Sequence, residues 1–193
     1  MTHLQGLVQL RELNLCGLAI SDKGLSHIRR LKKLETILLT GDGITDTGLE
    51  ELKELKHLRD LYLSKTKVTN AGLKHLATLS ELEYLDVSIS PGIGDVGLEQ
   101  LQKLPRLREL GIEFTKVTDC GLKQLVPIKS LKKLDLDGTS ITDAGLELLG
   151  KMTQLKRVSL VGSNVSEQGA TRLRESLPKT EVYLTESDRW RYR

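Results

Sequence analysis

Apolar residues follow a pattern along the chain whose spacing changes within each short segment. In residues 131–152, LKKLDLDGTSITDAGLELLGKM, leucines spaced by three and then two residues predict a short buried strand. A Gly-Thr turn follows. Leu146, Leu149 and Met152 then recur every three residues, which predicts a helix of about two turns with one apolar face. One strand and one helix can bury only one face of each other, so this unit needs neighbouring copies.

The chain contains seven copies of this unit, spaced 24 residues apart except for one inserted residue near Ile89. A leucine opens each copy, and a glycine recurs in the helical half of every copy. The opening leucines are Leu10, Leu34, Leu58, Leu82, Leu107, Leu131 and Leu155. Such self-similarity is the signature of a solenoid, in which each unit packs against the next. The 193 residues are therefore predicted to form one solenoid without a linker or a second domain.

The unit resembles the leucine-rich repeat. The L-x-x-L-x-L motif of that family is matched by Leu58, Leu61 and Leu63, and again by the leucines of residues 131–136. The I-T-D-x-G-L segment at residues 141–146 resembles the cysteine-containing subclass found beside F-boxes, which has Cys at the ninth position of the unit. At that position this chain has Leu18, Asp42, Thr66, Ser90, Thr115, Thr139 and Ser163. A Thr-bearing unit of this length is similar to repeats in many bacterial proteins.

The resemblance implies an α/β fold, a leucine-rich repeat solenoid shaped as a segment of a right-handed horseshoe. A parallel sheet is expected on the concave face and short helices on the convex face. The resemblance covers residues 4–184. We therefore expect a solenoid over residues 1–184, with seven repeats and partial units at both ends, and a C-terminal tail over residues 185–193.

Three further positions of the unit have structural explanations. A Ser or Thr before six of the seven helices is predicted to be the N-cap, and in five repeats an Asp lies in the first helical turn, where the helix dipole favours negative charge. The recurring glycine is expected because a Cβ there would collide with the adjacent turn. The Ser or Thr at the ninth position is expected to satisfy backbone groups of the buried turn.

The two ends of the chain leave the pattern in different ways. Leu4 and Leu7 match the end of a helix whose strand is missing, so we expect an open solenoid end where the first repeat opens before the rest. Val182 and Leu184 match an eighth strand. The tail ends in Arg-Trp-Arg-Tyr-Arg. We expect it to fold back over the C-terminal core or to be disordered, with nucleic-acid contact as an alternative.

The sequence also bears on the compartment. It has no apolar run near the roughly 18 residues that a membrane span needs, so no transmembrane helix is predicted. No signal peptide is recognisable, which favours a cytoplasmic location, although a truncated start leaves a lost signal peptide open. Cys16 and Cys120 lie four repeats apart, about 20 Å at strand spacing, so they are predicted to be unpaired, which favours a reducing compartment.

The net charge of +3 conceals an uneven distribution. Strand side chains that alternate with the core leucines are predicted to face the concave surface. There, eight acids and two bases give a net charge of −6, so the rest of the chain carries +9, mainly on helices and loops. The acids are Glu12, Asp60, Asp86, Glu109, Glu113, Asp135, Asp137 and Glu181, and the bases are Lys133 and Arg157.

Four of these acids form the candidate site. Asp135 and Asp137 are predicted to share a face about 7 Å apart, and Glu113 to lie one strand from Asp137. Asp86 is predicted two strands from Asp135, across Gly111. Three interpretations stay open: a solvated acidic face, a surface for a basic partner, and a divalent-metal or carboxylate-pair hydrolase.

Aromatic residues lie beside the acids. Tyr62 and Tyr84 are predicted to face outward as diagonal neighbours on adjacent strands, with Leu38 one strand before them. Phe114 is expected at a strand end. Outward aromatic residues are enriched at binding hot spots, with scattered exposure as the alternative. Arg157 is expected to limit the acidic strip at its C-terminal margin.

These features predict a protein-interaction scaffold, not an enzyme, that binds a Lys- or Arg-rich protein or peptide through its concave face. No cofactor, metal, small-molecule substrate or membrane is implied, since the four histidines lack ligand spacing and no G-x-S-x-G or P-loop motif occurs. Alternatives are the substrate-recognition part of an F-box-like ubiquitin-ligase adaptor, a metal-dependent hydrolase on the acidic cluster, and a nucleic-acid binder using the basic helical face. The predicted partner-binding residues are Leu38, Tyr62, Tyr84, Asp86, Glu113, Phe114, Asp135, Asp137 and Arg157.

Overall fold

The structure, a computed structural model, describes residues 4–41 and 43–188 of the chain. Within these residues, eight three-residue strands form one parallel sheet in chain order. Each strand pairs with the next at an offset of one repeat, as Asp60 does with Tyr84 and Tyr84 with Glu109, so the inserted residue falls outside the strands. The strands are β1 (Glu12–Asn14), β2 (Thr36–Leu38), β3 (Asp60–Tyr62), β4 (Tyr84–Asp86), β5 (Glu109–Gly111), β6 (Lys133–Asp135), β7 (Arg157–Ser159) and β8 (Glu181–Tyr183).

A helix follows each of the first seven strands, and the helices of adjacent repeats pack against one another. The α-helices are α1 (Asp22–Leu25), α2 (Asp46–Leu52), α3 (Asp119–Leu125), α4 (Asp143–Leu149) and α5 (Glu167–Ser176). The third and fourth repeats instead have 3₁₀ helices, Gly72–Thr78 and Asp95–Lys103. Apolar residues every three positions suit a 3₁₀ helix, which has three residues per turn, as well as a short α-helix. The prediction of a helix in each repeat is confirmed, and only its type varies.

The core is continuous from the first repeat to the last. The central residue of each strand is apolar and buried, as Leu61 of β3 is, and it packs in the layer between the sheet and the helices. Burial of one such side chain contributes about 1.5–3 kcal/mol. Leu7, Val8 and Leu18, in and next to the first repeat, are exposed. The chain is therefore an α/β solenoid with one shared core, as the repeat pattern predicted.

The hydroxyl groups at the ninth position act as predicted. Thr66, Thr115 and Thr139 are buried, and each donates a hydrogen bond to the backbone carbonyl three residues before it. Ser163 makes the same hydrogen bond at 2.7 Å. These bonds satisfy carbonyl groups that the buried turn would otherwise leave unpaired. Asp42, the second repeat's residue at this position, lies outside the described residues.

Residues at the N-termini of the helices form a series of hydrogen bonds between adjacent repeats, which was not predicted from the sequence. The Asp after each N-cap accepts hydrogen bonds from both the backbone N–H and the hydroxyl of the next repeat's N-cap residue. We call these contacts the Asp–Thr ladder. One rung differs, since Asn70 accepts only the N–H of Gly94, at 2.8 Å. The other rungs are Asp22–Thr45, Asp46–Thr69, Asp95–Thr118, Asp119–Thr142 and Asp143–Ser166.

The ladder explains the recurring glycine. A Cβ on Gly145 would overlap Oδ1 of Asp119, the ladder residue of the preceding repeat. Gly48, Gly72, Gly121 and Gly169 stand in the same relation to the ladder Asp before them. The expected collision with the adjacent repeat is therefore confirmed, and the colliding group is a carboxylate. Of the predicted N-caps, Ser21 makes no capping hydrogen bond through its side chain.

The C-terminal repeat ends in a polar clasp. Asp188 is buried and accepts hydrogen bonds from the backbone N–H groups of Leu184 and Thr185, at 2.8 and 2.9 Å. Arg174 of α5 donates to Asp188 and to the carbonyl of Val182 in β8. Burial raises the pKa of Asp188, but the hydrogen bonds from Leu184 and Thr185 and the charge of Arg174 together lower it. The predicted aromatic tail, residues 189–193, lies outside the described residues.

Two further expectations concern the whole chain. Cys16 and Cys120 are both free and exposed, as their separation predicted. Across residues 4–41 and 43–188, none of the helices has the length and apolar character needed to cross a membrane.

Candidate partner-binding surface

The concave face of the sheet consists of three columns of side chains, each taking one residue per repeat. The first and second columns are the outer positions of each strand, and the third lies two residues beyond the strand. The first column is Glu12, Thr36, Asp60, Tyr84, Glu109, Lys133, Arg157 and Glu181. The second column is Asn14, Leu38, Tyr62, Asp86, Gly111, Asp135, Ser159 and Tyr183. The third column is Cys16, Thr40, Ser64, Ser88, Glu113, Asp137, Val161 and Thr185.

The two bases of this face lie in the first column. Lys133 forms an ion pair with Glu109 at 2.8 Å, and Arg157 pairs with Glu181 at 2.9 Å. Arg157 also lies over the ring of Tyr183, 5.5 Å from its centroid. The second and third columns contain acids but no Lys or Arg. The first column therefore contains charges of both signs, whereas every charged residue of the second and third columns is acidic.

A dimple lies at the centre of the second column. Asp86 and Asp135 pair with Gly111 from either side. Because Gly111 has no side chain, Oδ1 of Asp86 can lie over it, 3.1 Å from where a Cβ would be. The pocket at this point has a volume of about 140 Å³, and Tyr84 and Ile89 also line it. The predicted arrangement of Asp86 and Asp135 across Gly111 is confirmed. We call this feature the Gly111 dimple.

The third column differs from the prediction at Asp137. This residue is only 4% exposed, and its Oδ1 accepts the backbone N–H of Val161 at 2.9 Å. Asp137 therefore lies in the third column, but its carboxylate is buried against the next repeat, whereas Asp135 is partly exposed. The strand β6 ends at Asp135, so the alternation of side chains that holds within a strand does not extend to residue 137. Glu113, one repeat earlier, remains partly exposed.

The predicted aromatic pair is confirmed. The rings of Tyr62 and Tyr84 are in contact, with centroids 4.5 Å apart and planes tilted by 33°. Burial raises the pKa of both phenols, and neighbouring carboxylates raise it further, Asp60 first for Tyr62 and Asp86 first for Tyr84. Both phenols are thus neutral over the physiological range. Leu38 pairs with Tyr62 from the preceding strand and extends this partly exposed apolar patch.

The residue after the third column has a left-handed backbone conformation along the array. Three non-glycine residues adopt it in consecutive repeats, Lys65, Ile89 and Phe114, with φ of 58°, 56° and 51°. This conformation costs a residue with a side chain about 1–2 kcal/mol, and more for a β-branched one. Phe114 was predicted as a contact residue, whereas Lys65 and Ile89 were missed. Both residues occupy the eighth position of the unit, where the other repeats have Gly17, Gly41, Gly138 and Gly162. This departure from glycine is the signal in the sequence that could have identified them.

Metal chemistry has no support in the donor geometry. Across the part of the chain that the structure describes, no three His, Cys, Asp or Glu side chains are grouped so that they could hold a metal ion. The acidic residues of the second and third columns are spread over several strands around Gly111. This arrangement suits contact with a broad basic surface better than chelation of one cation.

The chain resembles known proteins in sequence over two segments and in structure over most of its length. A family model described as leucine-rich repeat matches residues 54–77 and 128–150. Among solved structures, an internalin (inlF) from Listeria monocytogenes superposes with a TM-score of 0.76 at 24% identity, covering 95% of this chain. These two segments are leucine-rich repeats. No curated protein matches its sequence.

A second solved structure agrees with this assignment. An internalin C2 (inlC2) from Listeria monocytogenes superposes on the chain with a TM-score of 0.69 at 29% identity, over 83% of this chain. The chain spans 50% of the length of the first internalin and 66% of the second. Solenoids of this kind are protein-interaction scaffolds that use extended concave surfaces.

Proposed function

We propose that this protein binds a Lys- or Arg-rich protein or peptide through its concave face and catalyses no reaction. The observation that carries the proposal is the composition of the second and third columns. They contain carboxylates without a single Lys or Arg, beside the contacting rings of Tyr62 and Tyr84. A basic partner complements this charge, and the aromatic pair offers it an apolar contact.

The two basic residues of the concave face are compatible with a basic partner. Lys133 and Arg157 are held by Glu109 and Glu181 in the first column. They therefore do not neutralise the second column around the Gly111 dimple. The pairing of Arg157 with Glu181 supports its predicted role at the C-terminal margin of the acidic strip. A partner is thus expected to contact mainly the third to sixth repeats.

Charge and apolar contact are expected to affect different rate constants. Charges on the concave face attract a basic partner over a distance, so removing them slows association. Tyr84 is covered only when the partner has docked, so truncating it speeds dissociation. Association is also expected to slow as salt screens the charges, over a Debye length of about 8 Å at physiological ionic strength.

The test uses a partner captured from a lysate of the source cells and then purified. Its binding kinetics are measured for the parent, for Tyr84→Ala, and for the pair Asp86→Asn and Asp135→Asn. Asp137 is left unchanged because it supports the backbone at Val161. We expect faster dissociation with Tyr84→Ala and slower association with the Asn pair.

The matched control removes two charges from the helical side, with Glu99→Gln and Glu147→Gln. Both residues are exposed and lie on helices. We expect this variant to bind like the parent. Parent-like binding by the concave variants, together with weakened binding by the helical one, would move the interface away from the concave face.

A further inference from the structure

At the position directly after the third column, where φ is positive, three repeats have a residue whose presence stability does not explain. Glycine adopts this conformation without strain, and four described repeats have glycine there. In the third, fourth and fifth repeats the position holds Lys65, Ile89 and Phe114 instead. A side chain retained in a disfavoured conformation, in neighbouring repeats, points to a role for that side chain outside the fold.

Ile89 and Phe114 also contribute little to the core. Their side chains are 42% and 59% exposed, whereas the core residues on either side of them are buried. Ile89 is β-branched, the class of residue for which a positive φ is least tolerated. The ring of Phe114 lies over Gly138 of the next repeat, where a Cβ would overlap it. Together these residues form an exposed apolar surface, which we call the Ile89–Phe114 shelf.

The shelf adjoins the Gly111 dimple. Ile89 lines the dimple together with Tyr84, Asp86 and Asp135. The backbone N–H of Ile89 donates to the carbonyl of Glu113 at 2.7 Å, and that of Phe114 to the carbonyl of Asp137 at 2.8 Å. These hydrogen bonds fix the shelf to the third column. An apolar surface and a pair of carboxylates are therefore held side by side.

We propose that the shelf and the dimple recognise two adjacent side chains of one protein segment. A Lys or Arg enters the Gly111 dimple between Asp86 and Asp135, and a bulky apolar side chain next to it covers Ile89 and Phe114. Charge complementarity fixes the basic residue, and the exposed shelf fixes its apolar neighbour. This inference rests on the proposed function and specifies the partner's recognition motif.

The strain gives the proposal an unusual signature. Glycine relieves the left-handed strain at these positions, so Ile89→Gly and Phe114→Gly are expected to leave the unfolding midpoint unchanged or raise it. The same substitutions remove the shelf. Lys65→Gly is the matched control, because it changes the same backbone position one repeat earlier without removing an apolar side chain. Binding should fall by about tenfold or more with the shelf variants and stay unchanged with Lys65→Gly.

The probe is a display library of random linear peptides, selected on the immobilised parent protein. Enriched peptides are sequenced, synthesised and titrated against the parent, against Ile89→Gly with Phe114→Gly, against Lys65→Gly, and against Asp86→Asn with Asp135→Asn. We expect peptides with a Lys or Arg next to a large apolar residue. They should lose affinity in both the shelf and the charge variants.

The outcomes separate the two proposals. Basic peptides that depend on Asp86 and Asp135 but bind the shelf variant normally would overturn the shelf and leave the proposed function standing. A lower unfolding midpoint in the glycine variants would overturn it too, because the shelf would then be part of the fold. Enriched peptides that bind the charge variant as tightly as the parent would overturn both proposals.

Discussion

Asp119 holds Thr142 of the next repeat with both oxygens of its carboxylate. Oδ1 accepts the backbone N–H of Thr142 at 3.0 Å, and Oδ2 accepts its hydroxyl at 2.6 Å. Thr142 is the N-cap of α4, and its hydroxyl in turn accepts the N–H of Ala144. One carboxylate thus fixes the start of the helix in the following repeat.

Removal of this carboxylate should weaken the contact between repeats. Asp119→Ala leaves the N–H of Thr142 without its acceptor, and we expect it to lower the free energy of unfolding by about 1–3 kcal/mol. Urea denaturation measures the change. Asp119→Asn is the matched control, since its amide oxygen can still accept the N–H, as Asn70 does for Gly94. We expect a smaller loss for Asn, and equal losses for the two variants would contradict the hydrogen-bond account.

Addition of a side chain at the recurring glycine should be more harmful than any change on the concave face. Gly145→Val places atoms where Asp119 and Leu122 already lie, so we expect destabilisation by roughly 1–3 kcal/mol or more. Gly94→Ala serves as the control, because the nearest atom to its Cβ would be a carbonyl oxygen of Lys116 at 3.4 Å. Thermal and urea denaturation compare the two. A Gly145→Val protein with the parent midpoint would contradict the steric explanation.

Three basic side chains in a row, each directly before a strand, should destabilise the fold by mutual repulsion. Arg108, Lys132 and Lys156 occupy equivalent positions in adjacent repeats, linked through backbone hydrogen bonds. Like charges on neighbouring strands repel, so Lys132→Glu should raise the free energy of unfolding by roughly 0.2–1 kcal/mol. The gain should shrink in concentrated salt, which screens the charges. Lys151→Glu, at an exposed site outside this row, controls for the change in net charge. A gain of the same size there would remove the repulsion as the cause.

Asp188 should make the C-terminal repeat sensitive to acid. Its pKa is lower in the folded chain than its ordinary value of about 3.9. A lowered folded pKa means that its contribution to stability is present above the ordinary pKa and is lost as the pH falls through the folded value. We expect Asp188→Asn to be less stable than the parent at neutral pH and equal to it in strong acid. Urea denaturation and hydrogen exchange of β8 across this range measure the difference, and a constant difference at all pH values would contradict the role of the charge.

The sequence predicted the repeat, the strands and the helices because apolar spacing decides which side chains can be buried together. Leu61 of β3 and its counterparts lie in the core for that reason. The same alternation placed Tyr62 beside Tyr84 and Asp86 beside Gly111, since all of them belong to strands. Within the strands, a period of two residues was a sufficient guide.

The remaining features depend on contacts that spacing does not encode. Asp137 lies beyond the end of its strand, where the chain turns and its carboxylate reaches Val161. The Asp–Thr ladder joins residues of adjacent repeats, so the helix dipole alone seemed to explain Asp119 and its counterparts. Ile89 was not predicted because what distinguishes it is its positive φ. The only indication of that angle in the sequence is the glycine at the equivalent position of other repeats.

The rung between Asn70 and Gly94 gives the array a seam. It has one hydrogen bond, whereas the other described rungs have two, and it joins the two repeats whose helices are 3₁₀. In a linear array each repeat is coupled only to its neighbours, and at this junction the coupling relies more on the backbone and on the Thr66–Ser90 contact than on the ladder. A folding front that starts on either side must cross this junction. Folding of the repeats on its two sides is thus coupled there through one ladder hydrogen bond instead of two.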